Sequence, residues 1–407
     1  MNRVAITGVG IVSCLGTDKE TVAKRLYRGE SAIEIDPERV ALGFRSPLTT
    51  RIAGFDPTRY LNRKARKTMT DYAVHAYAAA VDAVQDAGLA PEDLQNDRTG
   101  LIFGCDSSCL AAVEQVDLVR QHNTTSIIGS GHVFCSMTSN ATMNLNALLK
   151  TQGACWTLSA ACSSGGHAVG QAADLIRLGK QDRIICGGAQ ELNWQSMCSF
   201  DALDAFSTRV SVPHEACRPF DVSRDGLVPG GGAAALMLER YDLAQQRGAA
   251  TLGEVVGYGF SSDGVNVSVP SEGGLLRAMT SAIREAKCSL EEVDYVCAHA
   301  TGTPVGDGVE ALGICSLFGD SHRPAVASLK GMIGHELWMA GAAQVVYCIL
   351  MAQNGFMAKS VNFEQPDEYS SKLRILTDRL DRPPRVVLCN SAGFGGTNAC
   401  LALRLTP

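Results

Sequence analysis

Short apolar runs rich in β-branched residues alternate along the chain with segments whose apolar residues recur at helical spacing. The longest periodic segment, residues 68–88, predicts a helix that begins near Asp71 and ends before Gly88. The stretches RVAITGVGIV, TGLIFGC, RIICGG and GGAAALMLE predict strands, the first of them followed by a glycine turn. Uninterrupted apolar runs are typical of strands buried on both faces. We therefore predict an α/β fold with helical crossovers.

The same succession of elements begins again after about residue 250. Strands are predicted at ATLGEVVGYGF, VDYVCAHATGT, AVASL and RVVLCNSAG, and helices at GGLLRAMTSAIREA, GAAQVVYCILMAQNG and from about residue 307. No Gly/Ser-rich or Pro-rich linker separates the two parts of the sequence. We interpret the chain as two similar α/β halves, residues 1–250 and 251–407, fused face to face.

Composition and charge narrow the class of function. The 407 residues carry a net charge of −6, which argues against general binding to nucleic acid or anionic membranes. The N-terminal segment MNRVAITGVGIVS is too short in its apolar run for a signal peptide, and no apolar stretch reaches the ~20 residues that span a bilayer. We expect a cytoplasmic protein whose fifteen cysteines stay reduced. They include no C-x-x-C pair, so we expect no metal site.

One cysteine stands out by its position. GACWTLSAAC predicts a strand that enters a turn of small residues, and SSGGHAVGQAADLIRLGK predicts the helix that follows. Cys162 lies at this junction, where the positive end of the helix dipole favours thiolate over thiol. Its small neighbours would admit a bulky substrate. These local features leave two alternatives open, a nucleophile and a buried inert thiol, and His167 nearby is interpreted as a packing residue.

Two histidines lie in similar settings in the other half. His299 follows the strand VDYVC, and His335 lies in a turn five residues after Lys330. Taken singly, each fits a packing histidine near the start of a helix. Because the ends of buried strands line clefts in α/β folds, the two together are candidates for the partners that a cysteine nucleophile needs.

Four sequence blocks identify a family. TLSAACSSG, AHATGTPVGDGVEA, SLKGMIGH and NSAGFGGTNACLAL resemble, in order and spacing, the motifs of β-ketoacyl-acyl-carrier-protein synthases, the condensing enzymes of fatty-acid synthesis. The stretch GGAQELNWQSMCSFDAL is most similar to the synthase I branch. The resemblance covers essentially the whole chain. It implies a thiolase-like fold with α-β-α-β-α layers and a Cys-His-His centre.

The resemblance also implies roles for individual residues. Cys162 would carry the acyl chain, and the backbone N–H groups of Cys162 and Phe394 would form the oxyanion hole. His299 and His335 would stabilise the enolate formed when malonyl-acyl-carrier protein loses carbon dioxide. The Phe394 side chain would form a mobile gate over the acyl pocket. Further matches are an ion pair beside the histidines and two threonines for the pantetheine arm: Lys330, Glu310, Thr301 and Thr303.

The sequence departs from the family pattern at three pocket positions. Ala392 and Leu227 stand where an aromatic residue is usual, and Trp338 stands where glycine is usual. We hypothesise that Trp338 fills the space vacated at Ala392 and reshapes the pocket or gate. The alternative is that Trp338 packs within its own helix. These differences concern substrate length and unsaturation, and a specialised polyene-type lipid pathway is open beside fatty-acid synthesis.

Partners follow from the same resemblance. A basic turn in LNRKARKTMTD is expected to dock an acidic acyl-carrier protein, the alternative being a solvated helix start; its members are Arg63, Lys64, Arg66 and Lys67. The substrates carry their own phosphopantetheine, so no cofactor is expected. A homodimer with an interface strand near residues 154–161 is implied. A non-catalytic or chain-length-determining subunit of a ketosynthase heterodimer is the main alternative. A thiolase is disfavoured by His335, since thiolases place a second cysteine there.

Overall fold

The computed structural model describes residues 1–319 and 322–407, which form thirteen strands and thirteen α-helices. The strands are β1 (Val4–Val12), β2 (Ile33–Ile35), β3 (Leu48–Thr50), β4 (Thr99–Gly104), β5 (Cys155–Leu158), β6 (Arg183–Gln190), β7 (Gly232–Arg240), β8 (Gly253–Ser262), β9 (Tyr295–Cys297), β10 (Ala325–Ala327), β11 (Arg374–Ile375), β12 (Val386–Gly393) and β13 (Thr397–Leu405). The helices are α1 (Lys19–Arg28), α2 (Pro37–Ala41), α3 (Asp71–Asp86), α4 (Leu110–His122), α5 (His132–Cys135), α6 (Asn140–Leu149), α7 (Ser164–Arg177), α8 (Cys198–Ala202), α9 (Tyr241–Gln246), α10 (Gly274–Ala286), α11 (Pro304–Phe318), α12 (Lys330–Ile333) and α13 (Ala340–Gln353).

Among the described residues, eleven strands are joined by hydrogen bonds into one continuous array, which divides between β1 and β8 into two sheets of matching topology; β2 and β3 form a separate pair. The first has the order β5-β4-β6-β7-β1, and the second repeats it as β10-β9-β12-β13-β8, with β11 added at its edge. The parallel and antiparallel pairings also correspond, strand by strand. In the part of the chain that the structure describes, the strand pairing between the two sheets consists of two residue pairs between β1 and β8. We propose the connection between α9 and β8 as the boundary of the halves, at residues 250–251.

Helices pack in layers on both faces of these sheets. Helix α3 covers the outer face of the first sheet, and α10 and α11 cover the outer face of the second. Between the sheets lie α7 and α13. Helix α13 is apolar around nearly its whole circumference and is buried from Ala340 to Ala352, as a helix with neighbours on all sides must be. The predicted α-β-α-β-α layering is therefore confirmed.

The two central helices approach each other closely because small residues line their crossing. A Cβ atom added to Gly341 of α13 would lie 2.5 Å from the backbone nitrogen of Gly166 in α7. No side chain fits at that distance, so glycine is required there. This crossing brings the first turns of α7 and α13, and the loops before them, face to face.

The helix predicted in residues 68–88 is α3, and Gly88 beyond its end has a φ of 65°, in the left-handed region. Strand β1 continues through Gly8 and Gly10. Glycine at these positions lets α3 pack closely on the strand, because a Cβ on either residue would lie 2.1 or 2.0 Å from a carbonyl oxygen of α3. In the described ranges, every helix is too short or too polar to cross a bilayer.

Candidate active site

Cys162 lies in a tight turn between β5 and α7. The turn Ala161–Ser163 is a 3₁₀ helix, and Ala161 has a φ of 47°, a conformation that is unusual for a residue with a side chain. Hydroxyl groups hold the turn in place: the Ala160 N–H donates to Ser164 Oγ at 2.8 Å, and Ser163 Oγ donates to the Ala160 carbonyl at 2.7 Å. The thiol is therefore presented by a rigid, strained backbone.

The protonation state of this thiol differs from the prediction. Burial raises the pKa of Cys162 to about 12, whereas the charge of Lys330 and the backbone N–H groups of Cys162 and Phe394 lower it by less. The prediction of a thiolate favoured by the helix dipole was wrong for this closed site, because the cost of desolvating the charge exceeds the helix-end effect. The resting group is a thiol.

Two backbone N–H groups meet at the sulfur atom. They belong to Cys162 itself and to Phe394, and both stabilise negative charge there. Strand β12 comes so close to the turn that a Cβ on Gly393 would lie 3.0 Å from the Cys162 nitrogen and 2.9 Å from the Ala160 oxygen. Glycine at this position therefore permits the approach of the Phe394 amide, which is the geometry that an oxyanion hole needs.

His299 and His335 lie side by side in the second half. Their ring centroids are 5.1 Å apart and the rings are nearly perpendicular, at 87°. Burial lowers the pKa of both imidazoles well below its ordinary value, and the charge of Lys330 adds to the effect. Both rings are therefore neutral near pH 7. Their buried Nδ1 atoms have no hydrogen-bond partner among the described residues.

Lys330 and Glu310 lie near the histidines but do not form the direct ion pair that the resemblance implies. Among the described residues, no ion pair of 4.0 Å or less joins them, and they interact over a longer distance. The Glu310 carboxylate instead accepts hydrogen bonds from the backbone N–H groups of His299 at 2.9 Å and Ala300 at 2.6 Å, and from Asn390 Nδ2 at 3.0 Å. Glu310 thus fixes the backbone that carries His299.

Thr301 and Thr303 follow His299 in the loop before α11. Their hydroxyl oxygens are 3.1 Å apart. Asp307 fixes the loop by accepting the N–H groups of Thr301 and Gly302, at 2.9 and 3.1 Å. Burial raises the pKa of this carboxyl to about 7. The two hydroxyls are therefore held at one place on the cavity wall.

One cavity of about 420 Å³ brings most of the predicted residues together. Both halves contribute to its wall, which is mainly apolar. The predicted residues that line it are Cys162, Leu227, His299, Thr301, Thr303, Glu310, His335, Ala392 and Phe394. Lys330 is 2% exposed and does not line the cavity.

Trp338 does not line the cavity either, so the structure does not place it with Ala392 on the wall. Its indole N–H donates to Ser107 Oγ at 3.1 Å, and its ring centroid lies 6.3 Å from that of Phe200. It also does not pack within its own helix, because it precedes α13 and contacts the first half. The interpretation that Trp338 packs within its own helix was wrong, whereas the hypothesis that it reshapes the pocket stays a prediction.

The sequence interpretation missed an aromatic stack. Phe200 lies between Phe206 and Phe394, with nearly parallel rings at centroid distances of 6.1 and 6.0 Å. Phe200 also lines the cavity, so it supports the proposed gate residue from inside. The only sequence signal was the short motif CSFDAL after β6, which carries no periodicity.

The basic turn is not the start of α3 but a separate element. Arg63, Lys64 and Lys67 are exposed, and Arg66 is half-buried. A 3₁₀ helix spans Ala65–Thr68. Arg66 and Lys67 border a cleft of about 1010 Å³, distinct from the cavity at Cys162.

Comparison with known proteins places this arrangement in a family. The model of "Beta-ketoacyl synthase, N-terminal domain" matches residues 1–244, and that of "Beta-ketoacyl synthase, C-terminal domain" matches residues 252–364. The chain is 39% identical to 3-oxoacyl-[acyl-carrier-protein] synthase 1 of Haemophilus influenzae, over 99% of both chains.

Solved structures agree with this assignment. A beta-ketoacyl synthase from Burkholderia phymatum has a TM-score of 0.94 at 32% identity, with both chains fully covered. The ketosynthase in a complex with its type II PKS acyl-carrier protein has a TM-score of 0.91 at 26% identity, again over both whole chains. The chain therefore has the thiolase-like ketosynthase fold and belongs to the beta-ketoacyl synthase family, consistent with the synthase 1 branch.

Proposed function

We propose that this protein elongates acyl chains by decarboxylative Claisen condensation, with an acyl group on Cys162 and malonyl-acyl-carrier protein as the second substrate. The observation that carries the proposal is the single cavity in which Cys162 of one half faces His299 and His335 of the other. A nucleophile and two neutral hydrogen-bond donors are the groups that the two chemical steps require. The named relatives act on acyl-carrier-protein substrates, which supports the choice of substrate class.

The first step transfers the acyl group to the enzyme. The Cys162 sulfur attacks the thioester carbonyl, a new carbon–sulfur bond forms, and the bond to the pantetheine sulfur breaks. The proton of the Cys162 thiol leaves with the released pantetheine thiol. The N–H groups of Cys162 and Phe394 stabilise the tetrahedral oxyanion, which compensates for the raised pKa of the thiol.

The second step generates the carbon nucleophile. When the malonyl thioester binds, the bond between its carboxylate and the methylene carbon breaks and carbon dioxide leaves. The electron pair moves into an enolate whose oxygen lies at the neutral imidazoles of His299 and His335. Hydrogen bonds in a site with little water stabilise this charge more strongly than they would in solution.

The third step joins the two chains. The enolate carbon attacks the acyl carbonyl on Cys162, and the oxyanion is again held by the two backbone N–H groups. The intermediate collapses with loss of the Cys162 thiolate, which takes up a proton from water, and the product is a 3-oxoacyl chain two carbons longer. These steps need no group beyond the side chains named and the pantetheine arms of the substrates. Thr301 and Thr303 are proposed to bind those arms.

Mass spectrometry of the intact protein tests the proposal. Wild-type protein mixed with acyl-acyl-carrier protein is expected to gain the mass of one acyl group, and addition of malonyl-acyl-carrier protein is expected to give the 3-oxoacyl product. Cys162→Ala is expected to lose both signals. If the wild type neither takes up an acyl group nor releases carbon dioxide from malonyl-acyl-carrier protein, the non-catalytic subunit alternative replaces the enzyme.

The basic turn is proposed to dock the acidic carrier protein. Its exposed cations, Arg63, Lys64 and Lys67, are available for contact on a chain that is acidic as a whole. The double variant Lys64→Glu/Lys67→Glu is expected to raise KM for carrier-bound substrate about tenfold or more, and to leave a pantetheine thioester unaffected. An equal loss with both substrates would contradict docking at this site.

A homodimer is proposed through the exposed edge of β5. This strand ends the first sheet and carries Cys155 and Trp156, the latter 41% exposed. An apolar edge strand is a ready surface for pairing with a second chain. Trp156→Lys is expected to shift the mass measured by light scattering from dimer to monomer. We also propose a cytoplasmic location, where the fifteen cysteines would remain reduced.

A further inference from the structure

The cavity at Cys162 has an open side and a closed side. Exposed residues such as Val267, Val269 and Val305 border the open side, through which a carrier-bound arm reaches the thiol. At the buried end the wall beside Cys162 includes Leu337, which is fully buried, and the half-buried Phe200. With the arm on the open side, the acyl chain on Cys162 must extend towards this closed end.

The closed end is built by the counterpart of the nucleophile turn. Strands β5 and β10 occupy matching places in the two sheets. Strand β5 leads into a 3₁₀ turn and then into α7, and β10 leads through the short helix α12 into a 3₁₀ turn and then into α13. Both α7 and α13 have 14 residues. In both turns the first residue has a positive φ, 47° at Ala161 and 42° at Leu337. Trp338 is therefore the structural counterpart of Cys162.

The indole of Trp338 is fixed in the first half by a buried hydrogen-bond chain. Its N–H donates to Ser107 Oγ, and Ser107 Oγ donates to Glu191 Oε1 at 3.0 Å. The Glu191 carboxylate also accepts the Cys109 N–H at 2.8 Å and Asn193 Nδ2 at 2.7 Å. The indole is thus held at the end of a satisfied polar network, and it has one position rather than several.

This position puts the ring directly behind the cavity wall. Trp338 is 6% exposed, shares a buried cluster with Cys162 and Ala161, and lies against Phe200. We propose that Trp338 is a specificity-determining residue that closes the inner end of the acyl pocket and limits the length of the chain that Cys162 accepts. The proposal rests on the proposed function, because it assumes that Cys162 carries an acyl group.

The packing around Phe200 explains why the acylation rate would fall steeply once the acyl chain exceeds a certain length. Phe200 cannot move inward past the indole, and it is held from the other side by the stack with Phe394. A chain one methylene too long must displace a packed aromatic ring, and such differences in apolar pockets change rates by roughly 10–200-fold. Removing the indole leaves a void behind Phe200 into which that ring, and then the acyl chain, can move.

Acylation by pantetheine thioesters of increasing length tests the proposal on the full-length protein. Butanoyl, octanoyl and tetradecanoyl pantetheine are supplied separately, and the rate of Cys162 acylation is followed by intact mass. Trp338→Ala is expected to raise the ratio of the tetradecanoyl to the butanoyl rate by at least about tenfold. Because the measurement is a ratio, loss of part of the protein to misfolding does not affect it.

Three further variants make the outcome decisive. Trp338→Phe keeps an aromatic ring and is expected to shift the ratio in the same direction by less. Ser107→Ala releases the indole without shortening it and is expected to give a smaller shift again. Trp194→Phe changes a tryptophan that lies neither on the cavity wall nor in the buried cluster that Trp338 shares with Cys162, and it is expected to leave the ratio unchanged.

The possible failures are distinguishable. If the wild type takes up no thioester of any length, the proposed function is wrong. If the wild type is acylated but Trp338→Ala and Trp338→Phe keep its ratio, the indole does not set chain length and this inference is overturned. An equal shift in Trp194→Phe would also overturn it, since the effect would then not be specific to the wall.

Discussion

The turns Ala161–Ser163 and Leu337–Met339 have the same backbone design, and each packs against a glycine of the central strand of the other half. A Cβ on Gly393 would lie 2.9 Å from the Ala160 oxygen beside the first turn. A Cβ on Gly188 would lie 2.7 Å from the Cα atom of Met339 in the second turn. The backbone environments of the two turns are therefore closely matched.

The two turns differ in the surroundings of their middle residues. Cys162 opens into a cavity with two neutral imidazoles, whereas Trp338 is enclosed by Phe200 and Ser107. The fold offers two equivalent turn-helix sites, and we propose that the side chains make one of them reactive and the other a wall. The repeated backbone thus positions a side chain, and the residues around that side chain decide whether it can react.

The largest effect on the reaction rate is expected from substitution of a histidine of the second half that lies opposite Cys162. His335→Ala removes one of two donors to the enolate, so condensation is expected to slow by roughly 10²–10³-fold. Acylation of Cys162 is expected to stay within a few-fold of wild type, because the oxyanion hole proposed for that step is formed by the backbone of Cys162 and Phe394. Single-turnover acylation and product formation are measured separately.

An equal loss of acylation and of condensation would contradict the assignment of acylation to the first half and of enolate formation to the second. His299→Ala serves as a parallel variant and is expected to show the same split. His167→Ala is a matched control outside the cavity, since its Nδ1 atom is instead 2.6 Å from the Tyr258 hydroxyl.

The glycines that contact the two turns give the next largest effect. In Gly393→Ala the new Cβ pushes β12 away from Cys162 and withdraws the Phe394 N–H, so acylation and condensation are both expected to fall about 10²-fold. In Gly188→Ala the displaced turn carries no reacting group. That variant is expected to lose stability but to retain acylation per folded molecule.

Thermal unfolding and single-turnover acylation of both variants check this contrast. Gly313→Ala in α11 is a control, since a Cβ there meets its nearest neighbour at an ordinary 3.5 Å. Loss of chemistry in Gly188→Ala comparable with that in Gly393→Ala would mean that the two turns are not functionally distinct.

Local patterns were sufficient to predict much of the fold. The helix α3 and the long strands were predicted because their apolar periodicity is set by nearby residues. The motif blocks supplied the family and its α-β-α-β-α layers, which the structural neighbours confirm. The roles carried over to individual residues stay predictions that the experiments above test.

The missed features depend on contacts between distant residues. Trp338 lies three residues after His335, so adjacency suggested the same cavity. In a 3₁₀ turn, however, consecutive side chains are about 120° apart, and Leu337 takes the cavity side while Trp338 turns to Ser107, 231 residues away in sequence. The thiol pKa was missed for a similar reason, because burial is a property of the folded body and not of the helix start.

Glu336 is expected to give a smaller, pH-dependent effect. It lies directly before the turn Leu337–Met339, in the position that Ala160 has before the turn Ala161–Ser163. It is 1% exposed and accepts a hydrogen bond from the Tyr347 hydroxyl at 2.8 Å. Burial raises its pKa from an ordinary 4.5 to about 8, so between these values the folded state keeps a proton that the unfolded state has lost.

The contribution of Glu336 to the free energy of unfolding therefore falls as the pH rises from about 4.5 to about 8. Glu336→Gln keeps an acceptor for Tyr347 but cannot ionise. The free energy of unfolding of this variant, relative to that of the wild type, is expected to rise by on the order of 1–3 kcal/mol between roughly pH 5 and pH 8. Urea unfolding of both proteins at both pH values measures this difference in stability. A difference that does not change with pH would show that Glu336 does not titrate in this window.

The smallest effect is expected from a hydroxyl that ties the reactive turn to β13. Thr397 Oγ1 lies 3.1 Å from the Ala160 carbonyl and also contacts Ser163 Oγ. Thr397→Val keeps the shape but removes these hydrogen bonds, so the free energy of unfolding is expected to drop by about 1 kcal/mol. The Ala160 carbonyl keeps its bonds from the N–H and the hydroxyl of Ser163, which limits the loss.

A double-mutant cycle with Ser163→Ala separates the pairwise contribution from general packing. Because the two hydroxyls contact each other, the losses are expected not to add, with a coupling of roughly 0.5–1 kcal/mol. A second cycle combines Thr397→Val, beside the first turn, with Ser107→Ala, beside the second. The losses in free energy of unfolding are expected to add within about 0.5 kcal/mol. Strong coupling in that second cycle would mean that the two turns move as one unit, and the wall at Trp338 would then respond to the state of Cys162.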